Sequence, residues 1–126
     1  MAVAYVDTSC VLGIAFGEAG GRQLARRLAA FETLVSANLL EAEFRAAHKR
    51  EGVAEDAALL ARIGWIVPDR PLHREIARVL EAGYVRGADC WHLAVALYFA
   101  ATPRNLTFFT MEGHQGRVAR ELGFKS

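Results

Sequence analysis

Ala2-Val3-Ala4-Tyr5-Val6-Asp7 is a short apolar run closed by a carboxylate. Five residues without a polar interruption read as a strand buried inside a parallel sheet. Working outward from it, short extended runs recur between longer stretches with helical spacing. Residues 33–35 read as a second strand, 65–67 as a third stopped by Pro68, and 106–109 as a fourth ending at Thr110. Between them the spacing predicts a helix over 17–31, with Leu24, Leu28 and Phe31 on one face. Ser36 is the expected N-cap of the next helix, which runs to about Lys49. Further helices are expected over 52–63, from Pro71 to Gly83, over 90–101 with Asp89 as its cap, and over 115–122 closed by Gly123. Strands alternating with helices predict one α/β domain over 1–126, with a central, mostly parallel sheet of four to five strands flanked by helices. In such sheets ligands gather outside the carboxyl ends of the strands, where Asp7 and Thr110 fall.

The chain has 126 residues, enough for one domain, and 53% of them are hydrophobic, enough for a full core. Its most apolar segment, residues 94–101, is far shorter than a membrane span requires. The first seven residues lack the basic flank and long apolar region of a secretory signal, so a cytoplasmic location is expected. Cys10 and Cys90 are too few for a disulfide framework and fit no zinc spacing, so both are expected to be reduced, buried thiols. The net charge of +1 does not announce a nucleic-acid binder. Of the fifteen basic residues only Lys49 and Lys125 are lysine. Arginine suits bidentate phosphate contacts, although a GC-rich genome produces the same bias.

Three acids stand out by position. Asp7 ends the first strand. Glu43, on a helical wheel through residues 36–50, falls among Leu39, Leu40, Phe44, Ala46 and Ala47, whereas Glu41 shares a polar face with Arg45, His48 and Lys49. A carboxylate on an apolar face requires a cation, a metal or a proton, and a buried ion pair with an arginine is the structural alternative. Asp89 precedes a helix that is apolar almost all round, and a capping carboxylate still has lone pairs for a metal. His92, one turn inside, reads as a core histidine bonded to a neighbour. Glu112 follows Thr110 as a fourth carboxylate, and Thr110 is placed to orient a carboxylate or water. Such a set without a ring of His or Cys is a hard oxygen site suited to Mg²⁺ or Mn²⁺.

The ordered segments resemble the PIN-domain ribonucleases and, within them, the VapC-like toxins of bacterial toxin–antitoxin pairs. Ala4-Tyr5-Val6-Asp7-Thr8-Ser9 is similar to the family's first strand and first metal-binding Asp. Ala42-Glu43-Phe44-Arg45-Ala46-Ala47 is similar to the helix bearing its second acid. Gly87-Ala88-Asp89-Cys90-Trp91-His92 resembles the third acid and its helix. Phe109-Thr110-Met111-Glu112, followed by Ala119-Arg120-Glu121-Leu122-Gly123, resembles the closing Thr-x-Asp segment and C-terminal Gly. The departure is Glu112, where the family usually has Asp. The extra methylene displaces a fourth ligand or leaves it to act through water. The resemblance implies a Mg²⁺- or Mn²⁺-dependent endoribonuclease with Asp7, Glu43, Asp89 and Glu112 on the metal and Thr110 beside them. It further implies a structured RNA substrate such as tRNA or rRNA, a homodimer, and a cognate antitoxin protein that blocks the acidic groove. Arg86, Arg117 and Arg120 flank the acidic segments and are the expected phosphate contacts.

Other classes lack a needed residue. A phosphoaspartate phosphatase requires a second Asp where Ser9 stands, a receiver domain requires a lysine at the end of an interior strand, and no Gly-x-x-x-x-Gly-Lys is present for a P-loop. The remaining alternative is a non-catalytic PIN-like module that binds RNA or protein with a weakened metal site.

Overall fold

Four strands, β1 (Val3–Val6), β2 (Thr33–Ala37), β3 (Ile63–Ile66) and β4 (Thr107–Phe109), form one sheet in the order β3-β2-β1-β4. All three pairings are parallel. The computed structural model describes residues 2–126. Among these, seven α-helices flank the sheet: α1 (Thr8–Ala15), α2 (Gly21–Leu28), α3 (Leu39–Glu51), α4 (Ala57–Ala61), α5 (His73–Ala82), α6 (Gly87–Phe99) and α7 (Gly113–Leu122).

The period-2 alternation of a strand divides the core into two layers. Tyr5, Val35, Ala37 and Phe108 face a cluster with Val79 of α5, Leu93, Ala94 and Leu97 of α6, and Val118 and Leu122 of α7. Ala4, Val6, Leu34 and Phe109 face Val11 of α1, Leu24 and Leu28 of α2, and Leu40 and Phe44 of α3. Phe44 is wholly buried, so its loss to alanine is expected to cost about 3–5 kcal/mol. Cys10 and Cys90 are free and buried as expected, but they belong to opposite layers.

The topology fixes where a site belongs. From β1 the chain steps outward to β2 and β3, then returns to place β4 on the other flank of β1. The crevice between the carboxyl ends of β1 and β4 is therefore the switch point at which open parallel sheets bind ligands. The Asp7 amide donates to the Phe109 carbonyl at 3.1 Å, joining the two strand ends at this point.

Several expected elements differ in extent. The helix α1 was not foreseen, and the helix expected over 17–31 is confined to α2. Residues 16–20 separate the two, and a Cβ on Gly21, the first residue of α2, would meet the Gly13 carbonyl oxygen at 2.8 Å, so these helices pack almost backbone to backbone. Ser36 is not an N-cap: it lies within β2, where its hydroxyl donates to the Val6 carbonyl at 2.6 Å, and Asn38 precedes α3 without a side-chain cap. Gly52 closes α3 in the left-handed region at φ 67° and does not open a helix. The predicted helix over 52–63 shrinks to α4, capped by Asp56, and Ile63 already belongs to β3. Pro71 lies just ahead of α5, whose N-cap is Leu72, while Gly83 ends it as expected. Leu24 and Leu28, expected on one face of the helix over 17–31, are buried within the chain's own core. No helix among the described residues is long and apolar enough to cross a membrane.

Candidate active site

Asp7 is 2% exposed at the end of β1 and caps α1. Its Oδ1 accepts the Cys10 amide at 3.0 Å and the Ser9 hydroxyl at 2.8 Å. Burial pushes its carboxyl above the usual range, while the Thr110 and Ser9 hydroxyls, the Cys10 amide and the His92 ring pull it back down. Ser9 bridges the two strand ends, since its oxygen also lies 3.2 Å from Thr110 Oγ1 and accepts the Met111 amide at 3.0 Å.

Glu43 lies at the edge of the core, with its side chain 34% exposed. The wheel correctly separated it from Glu41, which pairs with Arg45 at 2.9 Å, but mislaid two neighbours. Ala46 is exposed, whereas His48 is buried, donating through Nδ1 to the Phe44 carbonyl at 2.8 Å and packing on the Phe16 and Phe44 rings. No arginine pairs with Glu43 among the described residues. Its Oε1 instead accepts the Thr8 hydroxyl at 2.6 Å and lies 3.5 Å from His92 Nε2. The His92 ring and the Thr8 hydroxyl hold its carboxyl below the ordinary value against the opposing effect of burial.

Asp89 is in the first turn of α6 and is not its N-cap, a position taken by Arg86. The carboxylate there favours the positive end of the helix. Burial, then the charges of Asp7 and Glu112, push its carboxyl up, with Arg86 and His92 opposing. Glu112 is exposed and caps α7, accepting the Gln115 amide at 2.7 Å and the His114 amide at 3.3 Å. These amides hold its carboxyl down. The helix consequently starts at Gly113, earlier than expected, and the fourth acid is already engaged with backbone. Thr110 Oγ1 donates to Gln115 Oε1 at 3.0 Å, and Gln115 Nε2 donates to the Asp89 carbonyl at 3.3 Å. The wholly buried Gln115 thus ties β4 to α6.

Asp89 feels the charges of Asp7 and Glu112, and His92 acts on Asp7, Glu43 and Asp89 alike. The acids are linked through His92, yet among the described residues no three of them close into a ready ligand set. The donor chemistry fits a divalent cation. All donors are oxygens, Asp7 keeps Oδ2 outside the Oδ1 bonds to Ser9 and Cys10, and a cation would offset the burial that raises Asp7 and the burial and neighbouring charge that raise Asp89.

Of the expected phosphate contacts, Arg117 and Arg120 line a cleft of about 300 Å³ beside Thr110 and Glu112. Arg86 is not in that cleft and acts on Asp89 instead. Arg27, which sequence reasoning missed, joins the cleft with its guanidinium 4.7 Å from the Phe109 ring centroid. His92 is buried and bonded to Tyr5, as expected of a core histidine, whereas its contacts with Thr8 and Glu43, and those of Ser9 and Gln115 with Thr110, were not foreseen, because they join distant segments or hang on hydroxyl geometry.

An open parallel sheet with acids gathered at its switch point defines a class of α/β domain built to bind a ligand at the strand ends. Residues 4–121 match the PIN domain, and the chain belongs to that family. The PIN domain is generally a nuclease fold. No curated protein and no solved structure matches the chain.

Proposed function

We propose that this protein is a Mg²⁺- or Mn²⁺-dependent endoribonuclease. One observation carries the reading: Asp7, Glu43 and Asp89, from three separate elements, all feel His92, and burial, with the charges of Asp7 and Glu112 added at Asp89, makes Asp7 and Asp89 unfavourable anions on their own. A divalent cation bound there would supply a water of lowered pKa and offset the charge developing on the phosphate. The chain's own part is positional. Ser9 and the Cys10 amide fix Asp7, Thr8 fixes Glu43, and Arg27, Arg117 and Arg120 seat the RNA backbone beside the acids. In this reading Glu112 keeps its helix cap and reaches a cation only through water, and Thr110 orients its neighbours.

The same proposal includes a VapC-like toxin role, with tRNA or rRNA as substrate, a homodimer, and an antitoxin covering the acidic crevice. The ordered segments that resemble such toxins support it. The deciding experiment is RNA cleavage by pure protein with Mg²⁺ or Mn²⁺, with chelator, and with Glu43→Gln. Cleavage that needs the ion and is lost in Glu43→Gln is expected. Ion-dependent RNA binding without cleavage would favour the non-catalytic module, and cleavage that survives exhaustive chelation would sink the metal mechanism.

A further inference from the structure

Behind Glu43 runs a chain of hydrogen bonds from the middle of the sheet. The Tyr5 Oη accepts the Ala37 amide at 3.1 Å and lies 2.7 Å from His92 Nδ1. His92 Nε2 lies 3.0 Å from Thr8 Oγ1, and Thr8 Oγ1 donates to Glu43 Oε1 at 2.6 Å. Tyr5 is wholly buried and His92 is 2% exposed, so the protein groups must satisfy one another. Among the described residues no buried side-chain nitrogen or oxygen is left without a partner.

Counting hydrogens sets the direction of the chain. Thr8 has a single hydroxyl hydrogen, and its 2.6 Å bond gives that hydrogen to Glu43. Thr8 therefore accepts from His92, and Nε2 carries the hydrogen. A bare Nε2 would instead face lone pairs on both Thr8 and Glu43. At the other ring nitrogen, Tyr5 already accepts from Ala37, and its own hydrogen is the one available for Nδ1. The Tyr5 ring is held in place independently, stacked on Phe108 at 5.1 Å and edge-on to His92 at 5.8 Å.

We infer that Tyr5 and His92 are positioning residues for Glu43. Tyr5 locks His92 as the tautomer with hydrogen on Nε2, and His92 and Thr8 together pin Oε1, leaving Oε2 as the oxygen that no group among the described residues engages. The metal-affinity part of this inference rests on Glu43 being a cation ligand, whereas the tautomer does not.

The test begins on metal-free protein with ¹⁵N-labelled histidine. The chain has four histidines, and His92→Gln identifies the His92 signals by their disappearance. The expected spectrum has hydrogen on Nε2 and none on Nδ1, and Tyr5→Phe is expected to mix the two tautomers. A predominant Nδ1–H form, or an unchanged spectrum in Tyr5→Phe, overturns the chain. Mn²⁺ binding without RNA, read by electron paramagnetic resonance, provides the second measurement. His92→Leu is expected to weaken it by about tenfold or more and Tyr5→Phe by roughly threefold to tenfold. His92→Gln, whose amide N–H replaces the Nε2 donor, is expected to keep it within about threefold. Equal losses in His92→Gln and His92→Leu would assign His92 to packing alone and overturn the inference. Wild-type affinity in all three variants would overturn the inference while leaving the metal site intact. A wild type that binds no Mn²⁺ would overturn the cation reading of Glu43 together with the positioning role, and the tautomer spectrum would still decide the hydrogen-bond chain.

Discussion

At the scale of single residues, Asp7 and Glu43 bring the same charge to the same crevice and meet opposite treatment. Burial raises Asp7, so the folded state prefers it protonated. Its favourable contribution is complete below its unfolded value near 3.8 and is lost as pH rises through the higher folded value. Glu43 is held below 4.5 by His92 and Thr8, so its contribution is present above that value and is lost as pH falls through the folded one. Asp7→Asn keeps an oxygen for the Cys10 amide and removes the buried charge. The metal-free variant is expected to melt higher than wild type at pH 7, with the gain shrinking as pH falls through the raised folded value and gone below about 3.8. Glu43→Gln instead loses charge-assisted bonds and is expected to be less stable by about 1 kcal/mol. Both are expected to lose cleavage. Thermal melts at several pH values check the signs, and a lower melting point for Asp7→Asn at pH 7 would contradict the account of Asp7. Asp7, Asp89 and Thr110 were legible because a strand end or a helix start is a local feature. The hydroxyl and imidazole partners were not, because Thr8 meets His92 across 84 positions and Ser9 meets Thr110 across 101.

At the scale of elements, what was legible depended on how local the deciding force is. Buried strands β1 and β4 announce themselves by uninterrupted apolar residues, and Gly83 and Gly123 mark helix ends as expected. The helix α1 did not, because eight residues that include Gly13, Val11 and Ile14 have weak intrinsic helicity, and packing under β1 decides their state. Ser36 misled because a cap and a strand interior accept the same residue, and the choice fell to its bond with Val6 across the sheet. Glu112 is a prediction at this scale. It caps α7 through two amides, so Glu112→Ala is expected to cost about 0.5–2 kcal/mol of stability. Glu112→Asp, a stronger capping residue, is expected to keep that stability and to retain cleavage. Denaturant titration with parallel cleavage assays separates the roles. Loss of cleavage in Glu112→Ala at temperatures where the fold is intact would make Glu112 more than a cap.

For the whole molecule, the sheet order gathers charges of both signs at one edge. Asp7 follows β1 and Glu112 follows β4, its neighbour in the sheet, and Arg27, Arg117 and Arg120 line the cleft beside Glu112. Mn²⁺ is expected to raise the melting temperature in a concentration-dependent manner, because it binds the folded state alone. Asp7→Asn should abolish that rise, and a rise that persists would place the ion elsewhere. The arginines make a separate prediction. Arg45 and Arg70 are already paired with Glu41, Glu55 and Glu75 on other faces, whereas none of the three cleft arginines has a carboxylate partner among the described residues. An unpaired guanidinium is free to replace the counterions of a phosphate, and each such contact steepens the salt dependence of binding by about 0.7 on a single strand. In a Glu43→Gln background, which is expected to bind RNA without cutting it, replacing Arg27, Arg117 and Arg120 by glutamine should flatten the slope of log affinity against log salt by about 2. Glutamine at position 27 keeps the stem as far as Cδ but gives up the guanidinium over Phe109. The matched control, Arg45→Gln with Arg70→Gln, should leave the slope unchanged. Equal flattening in both sets would mean that the RNA follows the protein's diffuse charge, and no change in either would remove the cleft from the substrate path.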